Sequence, residues 1–265
     1  MRPPSLNRLF WGLPLCALLL SATVSAGTIS DVIFRIEAEN DQGAGFLEFN
    51  SSELTYNPST NQWTWTTGQA DILNGGGDPI AMLDGATLKL VSDPNPGNYY
   101  YIELGFAVAA GLSDTHFRVE SAQLSFTEIP PELLQGPMAG GRATASLGAT
   151  DADGDGVEFA ATGSVGAGAY RGQYNGFVPD GTTFAELVNT FSAGPGGSGS
   201  AGQSLPAGAG YATIAESVQD MSAQLDFMLT DNDAGSGTTT YRILPEPASG
   251  LALALLGLGV LRRRR

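Results

Sequence analysis

Cysteine is all but absent: the one thiol of the chain, Cys16, sits near its start. The body of the protein therefore has no disulfide framework, and no thiolate there can serve as nucleophile or metal ligand. Histidine is equally scarce. His116 alone rules out metal motifs built on two histidines and leaves a single imidazole for acid–base work. Neither a Gly-x-Ser-x-Gly elbow nor a phosphate-binding glycine loop occurs. These absences remove the familiar nucleophilic, zinc-dependent and nucleotide-dependent chemistries. A carboxylate-based glycosidase is the enzyme class the composition still allows, because acids are plentiful. The sequence reads as non-enzymatic.

Positive charge is also rare. Between residues 27 and 244 the basic side chains are Arg35, Lys89, Arg118, Arg142, Arg171 and Arg242. All 27 acidic residues except Glu246 fall in the same span, a net charge of −20. Nucleic acid and anionic polymers are disfavoured as partners, since phosphate binding needs clustered Lys and Arg. Solubility, hydration and loose association with divalent cations are favoured. Gly, Ser, Thr, Ala and Asp dominate, yet apolar residues recur at regular spacing, so the region is read as folded.

What is present is sharpest at the two ends. Leu244-Pro245-Glu246-Pro247 is followed by fourteen uncharged residues, 248–261, and then by Arg262, Arg263, Arg264 and Arg265. The two prolines lack backbone donors and disfavour helix just before them, so Pro-Glu-Pro is an extended, accessible spacer. As a helix the apolar run would reach about 21 Å, short of a hydrocarbon core of about 30 Å. The arginines place their own end in the cytoplasm and everything before Pro245 outside. This tail resembles the PEP-CTERM sorting signal of exported proteins of Gram-negative bacteria, which exosortase enzymes recognise and process. The resemblance covers about twenty residues and implies exosortase as a processing partner, with transient residence in the inner membrane through a C-terminal hydrophobic helix. A permanent single-helix anchor is the alternative, and it requires neither the Pro-Glu-Pro triplet nor so short a span.

The other end agrees. Arg2 and Arg8 precede an apolar stretch, 9–20, and the small residues Val24-Ser25-Ala26, the pattern of a secretory signal peptide cut between Ala26 and Gly27. Export by the Sec machinery follows. The expected organisation is a signal peptide at 1–26, an ectodomain at 27–244 and a sorting signal at 245–265.

The ectodomain reads as an antiparallel β-sandwich, one large or two small. Val32, Phe34 and Ile36 alternate with Ile33, Arg35 and Glu37, a two-residue period. Tyr56 and Trp63-Thr64-Trp65 flank the turn residues Asn57-Pro58-Ser59-Thr60-Asn61 and predict a hairpin. Apolar parity flips between Val119 and Leu124, which predicts a bulge or tight bend. Further strands are predicted at 87–91, 99–108, 143–150, 157–162, 170–178, 210–214, 222–230 and 238–244. Phe184, Leu187, Val188 and Phe191 stand at helical spacing, and Thr183 with Glu186 matches a capping box, so a helix is expected over 183–192. The Gly/Ser/Ala-rich segment 195–210 is expected to be a mobile loop. A boundary could fall at 129–137. Ser121-Ala122-Gln123-Leu124-Ser125-Phe126 is echoed by Ser222-Ala223-Gln224-Leu225-Asp226-Phe227, which leaves a duplication open, although one sandwich is simpler.

Two constellations could bind something. Asp151, Asp153 and Asp155 alternate with small residues and precede Glu158; such a run can wrap hard oxygens around calcium, or can be a plain Asp/Gly turn between strands. Thr162 stands where an EF-hand loop requires a bidentate acid, and Asp231-Asn232-Asp233 poses the same choice more weakly. Trp63 and Trp65, with Tyr56, could form a sugar platform but are more economically core, since both share one strand face. Tyr100 continues the face of Ile102, Leu104 and Phe106, leaving Tyr99 and Tyr101 as the expected exposed pair. The reading is an exported structural or adhesive protein of the cell surface or matrix, associated by family resemblance with exopolysaccharide. A calcium- or carbohydrate-binding module is the runner-up.

Overall fold

The computed structural model describes residues 27–92, 99–131, 139–162, 168–177 and 180–245. Within them the chain is mainly β, and its helical content is a single 3-10 turn at Ser51–Glu53. In chain order the strands are β1 (Thr28–Ile29), β2 (Val32–Asn40), β3 (Gly43–Asn50), β4 (Thr55–Asn57), β5 (Gln62–Thr67), β6 (Ala70–Leu73), β7 (Pro79–Val91), β8 (Tyr100–Ala110), β9 (Thr115–Ser121), β10 (Leu124–Ile129), β11 (Ala139–Thr150), β12 (Val157–Ala161), β13 (Tyr170–Tyr174), β14 (Thr182–Leu187), β15 (Phe191–Ala193), β16 (Ser198–Leu205), β17 (Ala212–Ile214), β18 (Val218–Leu229) and β19 (Ala234–Pro245).

These strands make two antiparallel sheets. The first runs β1-β10-β18-β9-β2-β3, with β12 and β13 also on β18, β15 on β12 and β14 on β13. The second runs β16-β11-β19-β8-β7-β5-β4, with β17 beside β11 and β6 beside β7. Alternation decides which side chains meet between them. Along β8, Tyr100, Ile102, Leu104, Phe106 and Val108 all turn into the core. Across the gap Tyr100 stacks on Phe126 with ring centroids 3.7 Å apart, and Phe227 lies 5.7 Å from Phe106.

Local signals in the sequence map directly onto this frame. The hairpin forms, with Tyr56 opposite Trp63 and Thr55 opposite Thr64. The parity flip is a bend at Ala122 and Gln123: β9 ends before it and β10 starts after it, and both lie along β18. Strands from either side of 129–137 pair within each sheet, β10 with β18 and β8 with β19. Of the two echo segments, one crosses the bend and the other lies unbroken in β18, so they occupy different structural settings.

Three expectations are corrected. Residues 183–192 are not helical. They are the end of β14 and the start of β15, paired with β13 and β12, and joined through Val188 at a φ of 64°. A bulge at Phe184 inside β14 and the left-handed Val188 after it each shift the apolar parity, which imitates a helical period in a short run. The Gly/Ser/Ala segment is not a loop throughout: β16 pairs along its whole length with β11, from Leu205 opposite Ala143 to Ser198 opposite Thr150. Tyr101 is buried, 5% exposed, beneath the Arg242 guanidinium. The signal peptide and the C-terminal hydrophobic segment lie outside the described residues. Among the described residues no helix is long and apolar enough to cross a membrane.

Candidate functional site

The aspartate-rich loop joins β11 to β12 and meets the loop joining β18 to β19. Thr150 pairs with Ala234, so Asp151 and Asp233 leave adjacent strand ends side by side. Carboxylate oxygens of Asp151, Asp153 and Asp233 lie within 4.8 Å of one another. Asp155 and Glu158 are not members of this group. Asp155 is exposed, and Glu158 uses its backbone N–H to bind the Thr230 hydroxyl at 2.9 Å.

The hydrogen bonds show what the buried acids do. Asp151 is 8% exposed. Its Oδ1 accepts the N–H groups of Gly154 at 2.7 Å and Asp153 at 3.2 Å, and its Oδ2 accepts those of Gly156 at 3.0 Å and Gly196. Asp233 is fully buried and accepts the Ala152 N–H at 3.1 Å and the Thr230 hydroxyl. Gly154 and Gly156 have φ values of 97° and 113°, which only glycine adopts freely, and these bends turn the N–H groups inward. A carboxylate offers about four lone-pair positions, and those of Asp151 are occupied. Calcium asks for six to eight oxygens that are free of such donors. The donor set therefore fits a loop clamp better than a calcium cage, with Asp153 as the member still open to solvent.

The same bonds set the electrostatics. The N–H groups of Gly154 and Gly196, helped by Gly156 and Asp153, hold the Asp151 carboxyl below its ordinary range. A hydrogen bond and repulsion from Asp153 push Asp155 up. Because folding favours the Asp151 anion, its contribution is complete above the unfolded aspartate value of 3.8. It is lost as the pH falls through the lower folded value. Acid titration of the melting temperature is expected to show this loss in the parent and not in Asp151→Asn. Calcium and magnesium at equal concentration are expected to raise the melting temperature alike, with Asp153→Ala leaving the rise unchanged. A calcium-selective rise abolished by Asp153→Ala would establish a metal site instead.

His116, the one imidazole, lies on β9 with Nε2 2.7 Å from Asp226 Oδ1 on β18. Burial alone would raise the Asp226 pKa, but bonds from His116 and Thr162 and the charge of Arg118 outweigh it and hold the carboxyl low. Beside this pair is a pocket of about 220 Å³ lined by Glu37, Glu39, Phe46 and Arg118. Glu37 is tied there to both Arg35 and Arg118. The arrangement links β2, β9 and β18 through charged rungs across the outer face of the first sheet.

Of the aromatic candidates, Trp65 is core and Trp63 packs against the core edge with its ring 4.4 Å from Tyr56. Pro245 closes β19, and Gly27 lies against the carbonyl of Ser125. Ala26, Glu246, Pro247 and the four terminal arginines lie outside the described residues. The sequence separated the two aspartate loops. Asp233 was visible as a residue, but its place beside Asp151 depends on the pairing of β11 with β19, which no local signal encodes.

No protein-family model matches the chain, and no curated protein matches it. A solved structure of the infectious bursal disease virus Gx strain aligns with 85% of this chain and 78% of that one, at 8% identity and a TM-score of 0.18. A likeness that slight carries no argument about fold or role.

Proposed function

We propose that this chain is an exported structural or adhesive protein of a Gram-negative cell surface or matrix, delivered by Sec and sorted through its PEP-CTERM tail by exosortase. The observation that carries the reading is the sequence that flanks the described strands. β19 is paired on both sides, and its last residue, Pro245, opposite Ala139, is the first residue of the Pro-Glu-Pro motif. At the other end β1 begins at Thr28, just past the expected cut between Ala26 and Gly27. The described strands thus fall within residues 28–245, between the segment read as a signal peptide and the Pro-Glu-Pro motif, an order of segments that an exported and processed domain requires. The acidic surface supports solubility and hydration outside the cell, and association with exopolysaccharide belongs to this reading through the family resemblance of the tail.

Replacing Pro245, Glu246 and Pro247 with alanine tests it. Export to the inner membrane is expected to persist, because the apolar segment and arginines still stop transfer, while release is lost. Release of the variant at the parent's rate would show that the tail is not a sorting signal.

A further inference from the structure

Where the few basic residues lie carries a second message. Four of the six among residues 27–244 have carboxylate neighbours: Arg35 with Glu37 and Glu48, Arg118 with Glu37 and Asp226, Arg171 with Glu186, and Lys89 with Glu103. Arg142 and Arg242 form no ion pair among the described residues. Yet these two stand directly opposite each other in register, on β11 and β19, facing outward from the second sheet. Like charges placed opposite on neighbouring strands cost stability. In a domain with net charge −20, two cations kept together with no acid paired to either among the described residues form a site for an anion.

Its surroundings are aromatic. The Arg242 guanidinium lies 4.8 Å from the ring centroids of both Tyr99 and Tyr101 and donates to the hydroxyls of Tyr101 and Tyr211. Tyr211 is itself 36% exposed. Stacked and hydrogen-bonded in this way, the guanidinium is held in place with its charge uncancelled.

The complementary surface is at the other end of the same two strands. β11 runs from the arginines to Asp151, and β19 runs back from Asp233, a separation of about 30 Å at the rise of a β-strand. That tip presents Asp153 and Asp155, both exposed, beside Asp231. The adjoining β8–β9 loop is bound to it, with the Asn232 N–H on the Gly111 carbonyl and the Asp231 N–H on Asp114. That loop carries Leu112, which at 74% exposed is the most exposed large apolar side chain among the described residues.

We infer that the Arg142–Arg242 patch of one copy receives the aspartate tip of a second copy, head to tail. The carboxylates of Asp153 and Asp155 meet the two guanidiniums, and Leu112 packs against the exposed ring of Tyr211. The contact joins two different surfaces of the same chain, so each added copy leaves one of each surface open, and growth is linear unless the rotation closes a ring. The inference goes beyond the export reading and does not depend on how the tail is processed.

Sedimentation of the exported protein, purified as the cell delivers it, tests this with charge reversal. The parent is expected to show a mass above one chain that rises with concentration in about 0.1 M salt, where a screening length of about 10 Å mutes the repulsion between the two acidic copies and spares the direct ion pairs. It should return to a single chain in about 1 M salt, where the screening length falls to about 3 Å. Arg142→Glu with Arg242→Glu, and separately Asp153→Lys with Asp155→Lys, should each weaken association at least about tenfold. Mixing the two variants should restore it, since each retains the partner the other has lost, and a folding defect could not produce that recovery. A parent that stays a single chain at the lower salt overturns the inference, as does a mixture that fails to associate. A parent that binds an acidic polysaccharide such as alginate while remaining a single chain also overturns it, by assigning the patch to another anion.

Discussion

Phe227→Ala is expected to lower the unfolding free energy by about 4 kcal/mol, the middle of the range for removing a buried aromatic ring. Phe227 is fully buried in β18, the strand that pairs with β9, β10, β12 and β13. Its ring lies 4.4 Å from Phe159, 5.5 Å from Phe117 and 5.7 Å from Phe106, so it touches its own sheet on both sides and the opposite sheet. Three rings around the void restrict collapse, and a cavity that cannot collapse keeps its full cost. Phe227→Leu should recover most of the loss. Urea unfolding measures both, and a loss under about 1 kcal/mol for the alanine variant would mean that the ring does not join the sheets.

The second large effect separates two tryptophans that the sequence treated as equals. Trp65 is 5% exposed, 4.6 Å from Phe49 and 5.2 Å from Phe34, with its indole N–H 3.4 Å from Glu53. Trp65→Ala is expected to cost about 3–5 kcal/mol. Trp63 packs from the edge and leans on the exposed Tyr56, so Trp63→Ala should cost about 1 kcal/mol, mostly the loss of one aromatic pair. Acrylamide should quench the Trp63 emission and spare that of Trp65. Equal losses and equal quenching would put both rings in one environment and remove the distinction.

That contrast shows what was legible in the sequence. Period and turn chemistry act over a few residues, so the hairpin at Tyr56 and Trp63, the inward face of β8 and the bend after Ser121 could all be read from local order. Burial beyond the first layer depends on which strand lies next door. Trp63 and Trp65 share a face, but the core ends between them because β4, which pairs beside Trp63 and stops short of Trp65, is exposed. Tyr101 faces outward as its parity requires and is buried all the same, since Arg242 arrives from a strand far along the chain. Residues 183–192 deceived for a related reason: a bulge at Phe184 and a left-handed Val188 between two short strands together reproduce the spacing of a helical face. β16 was hidden by composition. Glycine and serine weaken an isolated strand, but at a sheet edge against the long β11 they need only supply backbone. The aspartate clamp was half legible, as two loops whose meeting rests on the pairing of residues 150 and 234.

The position of β19 also determines how the domain would answer a pull on the chain beyond Pro245. Its neighbours β11 and β8 flank it for nearly its whole length, from Ala234 to Pro245 on one side and to Ile243 on the other. Tension applied through the chain beyond Pro245 would run along the strand, so both ladders would be strained in shear and their hydrogen bonds would have to yield together rather than one after another. A terminal strand on a sheet edge, pulled across its ladder, would peel open bond by bond. With β19, the last of the described strands, inside the sheet, a pull on the chain beyond Pro245 would meet both ladders at once.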